Sequence, residues 1–376
     1  MKVIYSVGAR FPGGGIGNVA CHAVGGIYKH GYLKKLLCLS SKRTEIDPSK
    51  VEKIGSIYYS GLVLHGVRKF LYPKFNPYLY INRWYDYFAS RHVEECDIFH
   101  GWNNHSLQSL RKAKGLGAKA IIERASSHPL TQDRLLKEEY QRYGIKVPTN
   151  PFLKRSCKEL EECDYVTIPS DFVRKSFIEQ GFDEDKLIQI PFGVNIDKFK
   201  PVKKKDNVFR AIFVGSIQLR KGIQYLLEAW GSLNLKNAEL LICGGIHEDA
   251  KNLVRKYQQN KSIRFLGYVG SVPYEGTDVF VFPSIEEGSA LVTYEAMASE
   301  LPIIATYNTG SIARDGKDGF VIAIRDVDAL KEKIRYCYDN PEKVRKMGND
   351  ARKHVEKYTW ARYGDELVKA YEKIVK

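Results

Sequence analysis

The chain has 376 residues, 44% of them apolar, with 59 basic against 44 acidic side chains and a formal charge of +15. That length exceeds what one hydrophobic core usually serves, so two domains are expected, and the apolar content excludes a disordered or fibrous chain. The positive charge points to anionic partners (nucleotide phosphates, nucleic acid or an acidic membrane surface) without choosing among them.

Seven cysteines, odd in number and with no C-x-x-C or metal spacing, fit a reducing compartment. No apolar run approaches ~20 residues, and Met1-Lys-Val-Ile-Tyr-Ser6 reads as a first strand rather than a signal peptide. The expectation is a cytoplasmic protein that does not span a membrane.

Val3–Val7 reads as a strand, Gly8–Gly17 as a glycine loop, and a helix is expected from Asn18. Strand, glycine loop and helix open a doubly wound α/β domain. Gly13, Gly14, Gly15 and Gly17 would let backbone approach a ligand, although a plain flexible turn has the same composition. Residues 67–92 combine Arg68, Lys69, Lys74, Arg83 and Arg91 with Phe70, Phe75, Trp84, Phe88 and five tyrosines. They read either as helices packing an aromatic face on the domain or as an interfacial patch for a lipid-linked acceptor. Asp97–Asn104 and Ala118–His128 each read as a strand end running into a polar loop. In open α/β sheets ligands sit beyond the carboxyl ends of strands, so His100, Asn103, Arg124, Ser127 and His128 are expected on one cleft wall.

Ile190–Pro201, with the lysine run after it, reads as a linker. A second α/β pattern then begins with the strand Phe209–Val214. The turn Ser216–Gly222 carries Arg220 and Lys221 into a helix over Ile223–Trp230. Further strands are expected near 238–243, 263–266, 279–282, 301–306 and 320–324. The chain closes on an amphipathic helix from Tyr358.

Within that half, Phe282-Pro-Ser-Ile-Glu-Glu-Gly-Ser-Ala-Leu-Val-Thr-Tyr-Glu-Ala-Met-Ala298 runs from a buried strand through a glycine turn into a helix from about Ala290. Such a junction points backbone N–H groups at an anion. Glu287 precedes the helix and Glu295 lies inside it. At ~1.5 Å rise per residue the two are on the order of 10 Å apart, too far to share a proton but suited to gripping two ends of one ligand.

This string resembles the E-x7-E signature of retaining nucleotide-sugar glycosyltransferases of family 4. The resemblance implies the GT-B fold: two Rossmann-like doubly wound domains facing a central cleft. Residues 1–193 would bind acceptor, 194–207 link the domains, and 208–358 bind donor, with the last helix (359–376) crossing back. It places Glu287 on hydroxyls of the donor sugar and Glu295 on the ribose. Arg220 and Lys221 would face the diphosphate, and His128 would lie near the donor sugar. Gly15, Gly17, Arg124 and the amides of Gly288, Ser289, Ala290 and Leu291 are implied as substrate contacts. Gly244, Tyr268 and Val269 would border the base.

The sequence departs from the family at Ser216, where an arginine is common, and at Ser289 and Ala290, where Phe-Gly is common. Glu300 stands where a helix-capping glycine is usual, at a cost of ~1 kcal/mol if that backbone is left-handed. The implied activity moves a sugar from a UDP- or GDP-linked donor to a glycan or lipid-linked acceptor, with no cofactor and no obligatory metal. Peripheral contact with the inner face of a membrane is expected, and no nucleic-acid partner. A non-catalytic relative should lack Lys221 or Glu287, and both are present. A phosphorylase or epimerase of related fold remains the enzymatic alternative.

Overall fold

The computed structural model describes residues 1–42, 44–54, 77–147, 149–201 and 204–376. Strands β1 (Val3–Phe11), β2 (Leu33–Ser41), β3 (Val51–Lys53), β4 (Ile98–Trp102), β5 (Lys119–Glu123), β6 (Tyr165–Ile168) and β7 (Leu187–Gln189) form the first sheet. Its order is β3-β2-β1-β4-β5-β6-β7. Strands β8 (Phe209–Val214), β9 (Ala238–Cys243), β10 (Ile263–Gly267), β11 (Val279–Phe282), β12 (Ile303–Thr306) and β13 (Gly319–Ile322) form the second, in the order β10-β9-β8-β11-β12-β13. The pairings within both sheets are parallel.

Parallel strands covered on both faces read as unbroken apolar runs, and Val279-Phe-Val-Phe282 is buried at every position. In each sheet the winding reverses beside the first strand, at β1/β4 and at β8/β11, which puts a crevice at the carboxyl ends there. The fold is thus the expected pair of doubly wound α/β domains.

The first domain carries helices α1 (Gly14–Lys29), α2 (Pro77–Arg91), α3 (Leu107–Gly115), α4 (Pro129–Arg142), α5 (Leu153–Glu162) and α6 (Asp171–Ile178). The second carries α7 (Ile223–Leu233), α8 (Lys251–Tyr257), α9 (Leu291–Ala298), α10 (Val327–Asp339) and α11 (Pro341–Val355). The final helix α12 (Trp360–Val375) returns to the first domain and buries Tyr363, Leu367, Val368 and Tyr371. It lies so close to α1 that a β-carbon on Gly26 would sit 2.5 Å from the Gly364 Cα. The outgoing and returning crossovers run side by side, with the Val194 amide donating to the Tyr358 carbonyl at 3.0 Å.

One expectation about the first domain needs correction. The opening strand runs to Phe11 and the helix starts at Gly14, not Asn18, so Gly15 and Gly17 are helical residues. Gly15 is exposed, whereas a β-carbon on Gly17 would meet the Arg10 carbonyl oxygen at 2.1 Å. Gly17 therefore lets α1 pack on the end of β1. Of the aromatic segment, residues 67–76 lie outside the described residues. The remainder forms α2, whose Tyr85 is buried and donates to the Leu37 carbonyl, while Trp84, Tyr87 and Phe88 face outward.

Candidate active site

The site is built from two turns pressed against each other at the carboxyl ends of β8 and β11. After β8 a single 3-10 turn, Leu219–Lys221, is capped by Gly222 at φ 69°. The Arg220 carbonyl accepts from the Ile285 amide at 2.9 Å and from Ser284 Oγ at 3.0 Å. The β12–β13 segment braces the same loop from beneath: the Glu287 amide donates to the Asn308 carbonyl at 3.0 Å and Asn308 Nδ2 to the Ile285 carbonyl at 2.9 Å.

This bracing brings two cations and two carboxylates together. Arg220 Nη1 donates to Glu287 Oε1 at 2.8 Å and to the Glu286 carbonyl at 2.8 Å. Lys221 Nζ pairs with the same Glu287 oxygen and lies 5.3 Å from the Phe282 ring centre. The side chains of Arg220, Lys221 and Glu287 are only 25%, 12% and 13% exposed. Burial opposes the Arg220 charge, but Glu287 and Glu286 outweigh it and the guanidinium titrates above its usual range. For Lys221 burial wins, helped by repulsion from Arg220, and its ammonium titrates below the ordinary lysine range. A low-dielectric patch with two cations sharing one carboxylate oxygen can exchange that partner for an incoming phosphate.

Glu295 faces other neighbours. Its Oε2 accepts from the Tyr274 hydroxyl at 3.1 Å, and it lines a cavity of about 360 Å³ with Asn18, His22, Asn195, Lys198 and Trp360. The His22 ring stacks on Trp360 at 4.1 Å between centroids. Burial raises the Glu295 pKa against the opposing effects of Tyr274 and Lys198. The two glutamates thus have separate sets of neighbours: Arg220 and Lys221 for Glu287, Tyr274 and the cavity for Glu295.

The amides expected to greet an anion are partly committed. Ala290 donates its N–H to the Thr309 carbonyl at 3.2 Å, and the Ser289 hydroxyl is held by Tyr294 at 2.9 Å and the Gly310 carbonyl at 3.0 Å. Leu291 opens α9 and lines the same cavity as Glu295. Gly288 is in a seam between the domains. Its carbonyl accepts from Ser170 Oγ, and a β-carbon there would lie 1.9 Å from the Ala125 carbonyl oxygen. Gly244, at φ 143°, packs its backbone on Gly215, where a β-carbon would lie 1.9 Å from the carbonyl oxygen. Beyond β10, Tyr268 is 89% exposed beside the half-buried Val269.

The first domain's wall differs from expectation. His100 is buried within the sheet, between Glu123 at 3.1 Å and the Tyr371 hydroxyl of α12. Arg124 is also turned inward, donating to the Ser127 carbonyl, Asn103 Oδ1 and Gln132 Oε1. Burial brings it down to about 10. Asn103 in turn donates to Glu159 at 3.0 Å. Arg124 and Asn103 hold the loops after β4 and β5, and His100 ties β4 to β5 and α12, rather than lining a crevice, because each is met by a complementary buried group. His128 caps α4, its Nδ1 accepting from the Leu130 amide at 3.3 Å, and burial then Arg124 lower it to about 4. Ser127 does reach the other domain: its hydroxyl donates to Glu286 at 2.8 Å.

Glu286, Tyr274, Lys198 and Trp360 were missed from sequence. The adjacent Glu286-Glu287 pair was the available signal for the first. Among the described residues no group of three His, Cys, Asp or Glu side chains is placed to hold a metal ion, and no helix is long and apolar enough to cross a membrane.

Residues 195–354 match the family described as glycosyl transferases group 1. The chain is 28% identical over 230 residues to a putative glycosyltransferase, EpsD, of Bacillus subtilis (strain 168), covering 56% of this chain and 60% of that one. It is also 28% identical over 237 residues to the capsular polysaccharide biosynthesis glycosyltransferase CapM of Staphylococcus aureus, covering 57% and 62%. The chain therefore spans about three fifths of these relatives' length. Among solved structures it is similar to sucrose-phosphate synthase from Thermosynechococcus elongatus, with TM-score 0.68, 16% identity and coverage of 100% and 99%. Anabaena HepE in complex with UDP is similar at TM-score 0.67, 14% identity and coverage of 99% and 100%. These structural likenesses share the two-domain GT-B fold.

Proposed function

We propose that the protein, whose residues 195–354 match the glycosyl transferases group 1 family, transfers a sugar from a nucleoside-diphosphate sugar to a hydroxyl acceptor. The observation that carries this reading is the buried cluster in which Arg220 and Lys221 both pair with one oxygen of Glu287. A diphosphate entering the turn takes over the two cations, and the Glu287 carboxylate is then free to accept from donor-sugar hydroxyls. As the bond from the anomeric carbon to the phosphate oxygen breaks, charge grows on the diphosphate. The preorganised cations stabilise it where water is largely excluded.

The acceptor oxygen bonds to the anomeric carbon on the same face, and its proton passes to the departing phosphate oxygen, so configuration is retained. The protein's contribution is position and charge, with no obligatory metal. Glu295, Leu291 and the ≈360 Å³ cavity take the ribose. Tyr268, Val269 and Gly244 border the base. The complex of HepE with UDP supports a nucleotide donor, and the likeness to CapM, named for capsular polysaccharide biosynthesis, supports a glycan acceptor.

Screening UDP-, GDP- and ADP-sugars for thermal stabilisation, followed by release of the diphosphate, tests the donor reading. Stabilisation by one base series is expected, and none by any series would sink it.

The outward Trp84, Tyr87 and Phe88 of α2, beside Arg83 and Arg91, supply a surface for peripheral contact with anionic lipid, each nearby cation adding ~1 kcal/mol. Sedimentation with anionic vesicles at low salt should carry the protein down. Protein left in the supernatant with anionic and neutral vesicles alike would favour a soluble acceptor.

A further inference from the structure

Glu286 is fully buried one residue from Glu287, and the hydrogen-bond donors to its carboxylate come from the other domain. Oε1 accepts from the Ser127 amide at 3.0 Å and the Ser127 hydroxyl at 2.8 Å, and Oε2 accepts from Gln132 Nε2 at 2.9 Å. On its own side of the crevice, Arg220 Nη1 stands 3.5 Å from Oε2, a looser contact than the 2.8 Å bond from the same nitrogen to Glu287. The neighbouring backbone meshes as tightly, since Ala125 leaves no room for a β-carbon on Gly288.

Burying a carboxylate costs several kcal/mol, and an interface needing only adhesion is served as well by apolar groups. What a carboxylate adds here is competition for Arg220. Three hydrogen bonds from Ser127 and Gln132 engage it while the domains are docked, and Arg220 makes its shorter side-chain bond to Glu287. With the 125–132 segment withdrawn, the same carboxylate would be the strongest partner within reach of Arg220.

We propose that Glu286 is a positioning residue that makes the phosphate-facing orientation of Arg220 depend on docking of the first domain. The inference rests on the donor reading of Arg220 given above. It assigns the domain seam a role in assembling the site: binding a diphosphate and docking the 125–132 segment favour one another, as reciprocal linkage requires.

The test separates charge from adhesion. Ser127→Ala, which takes the hydroxyl donor from Glu286 Oε1, should turn the carboxylate towards Arg220 and weaken binding of free UDP or GDP by about tenfold, the scale of misplacing one group in a preorganised site. Adding Glu286→Gln to that variant removes the competing charge beside Arg220. The double variant should therefore regain most of the diphosphate affinity although its seam has lost further hydrogen bonds and its melting temperature stays low.

A further loss of affinity in the double variant would reduce Glu286 to a structural contact and overturn the inference, as would wild-type affinity in Ser127→Ala. Should the double variant not fold, Gln132→Leu serves. It removes the donor to Glu286 Oε2, along with an acceptor of Arg124, and should weaken diphosphate binding several-fold, and unchanged affinity would overturn the inference. Failure of the donor reading shows separately, as wild-type protein that binds neither diphosphate.

Discussion

Gly222 and Pro283 meet backbone to backbone: a β-carbon on Gly222 would lie 1.8 Å from the Pro283 carbonyl oxygen. Gly222 also holds φ 69°, a left-handed conformation that side chains disfavour. Its neighbours Arg220 and Lys221 are aimed by this contact, so Gly222→Ala should push the cationic turn away from the signature loop. The expected loss is ~3 kcal/mol or more of stability, from strain and overpacking together. Chemical denaturation checks it, and a variant within ~0.5 kcal/mol of wild type would show that the turn is free to relax.

The two glutamates should separate in their effects. Glu295→Ala is expected to weaken binding of the free nucleoside diphosphate, because the cavity it shares with Lys198 and Trp360 loses its buried carboxylate. Glu287→Ala should leave that affinity mostly intact, or raise it by releasing Arg220 and Lys221, while cutting transfer. Calorimetry with the diphosphate alone reads both, and equal losses would contradict the division.

Much of this was legible in the chain. Doubly covered strands announce themselves as apolar runs such as Val279–Phe282, and the strand-turn-helix junctions carry glycine where backbones touch, as at Gly222. Glu300, where a capping glycine is usual, does adopt φ 61°, so the sequence departure and the backbone conformation coincide. What sequence did not disclose is the direction of side chains at strand ends and in irregular loops. His100 and Arg124 sit where a crevice wall was expected, yet both turn inward to Glu123 and to Asn103, residues distant in the pattern. Glu286 and Glu287 are adjacent and point to different domains, which no periodicity encodes. The helical start at Gly14 was hidden because glycine lowers helix propensity, while packing of α1 on β1 overrides it.

The lowered Lys221 pKa sets a pH signature. The protonated amine is the form that meets a phosphate, so activity falls as pH rises through a value below the ordinary 10.5. An alkaline limb in kcat/KM, which reports the free enzyme, is expected under that value, and Lys221→Arg should move it upward. A limb in the same place for both proteins would assign the titration to another group.

If the Arg220–Lys221–Glu287 cluster stabilises the departing diphosphate, release of that diphosphate during transfer, compared between wild type and Lys221→Ala, reads it most directly. Removing one preorganised charge partner should slow release about a hundredfold, or ~3 kcal/mol, in a variant whose melting curve shows it folded. Release at the wild-type rate from folded Lys221→Ala would remove the cluster from the chemistry.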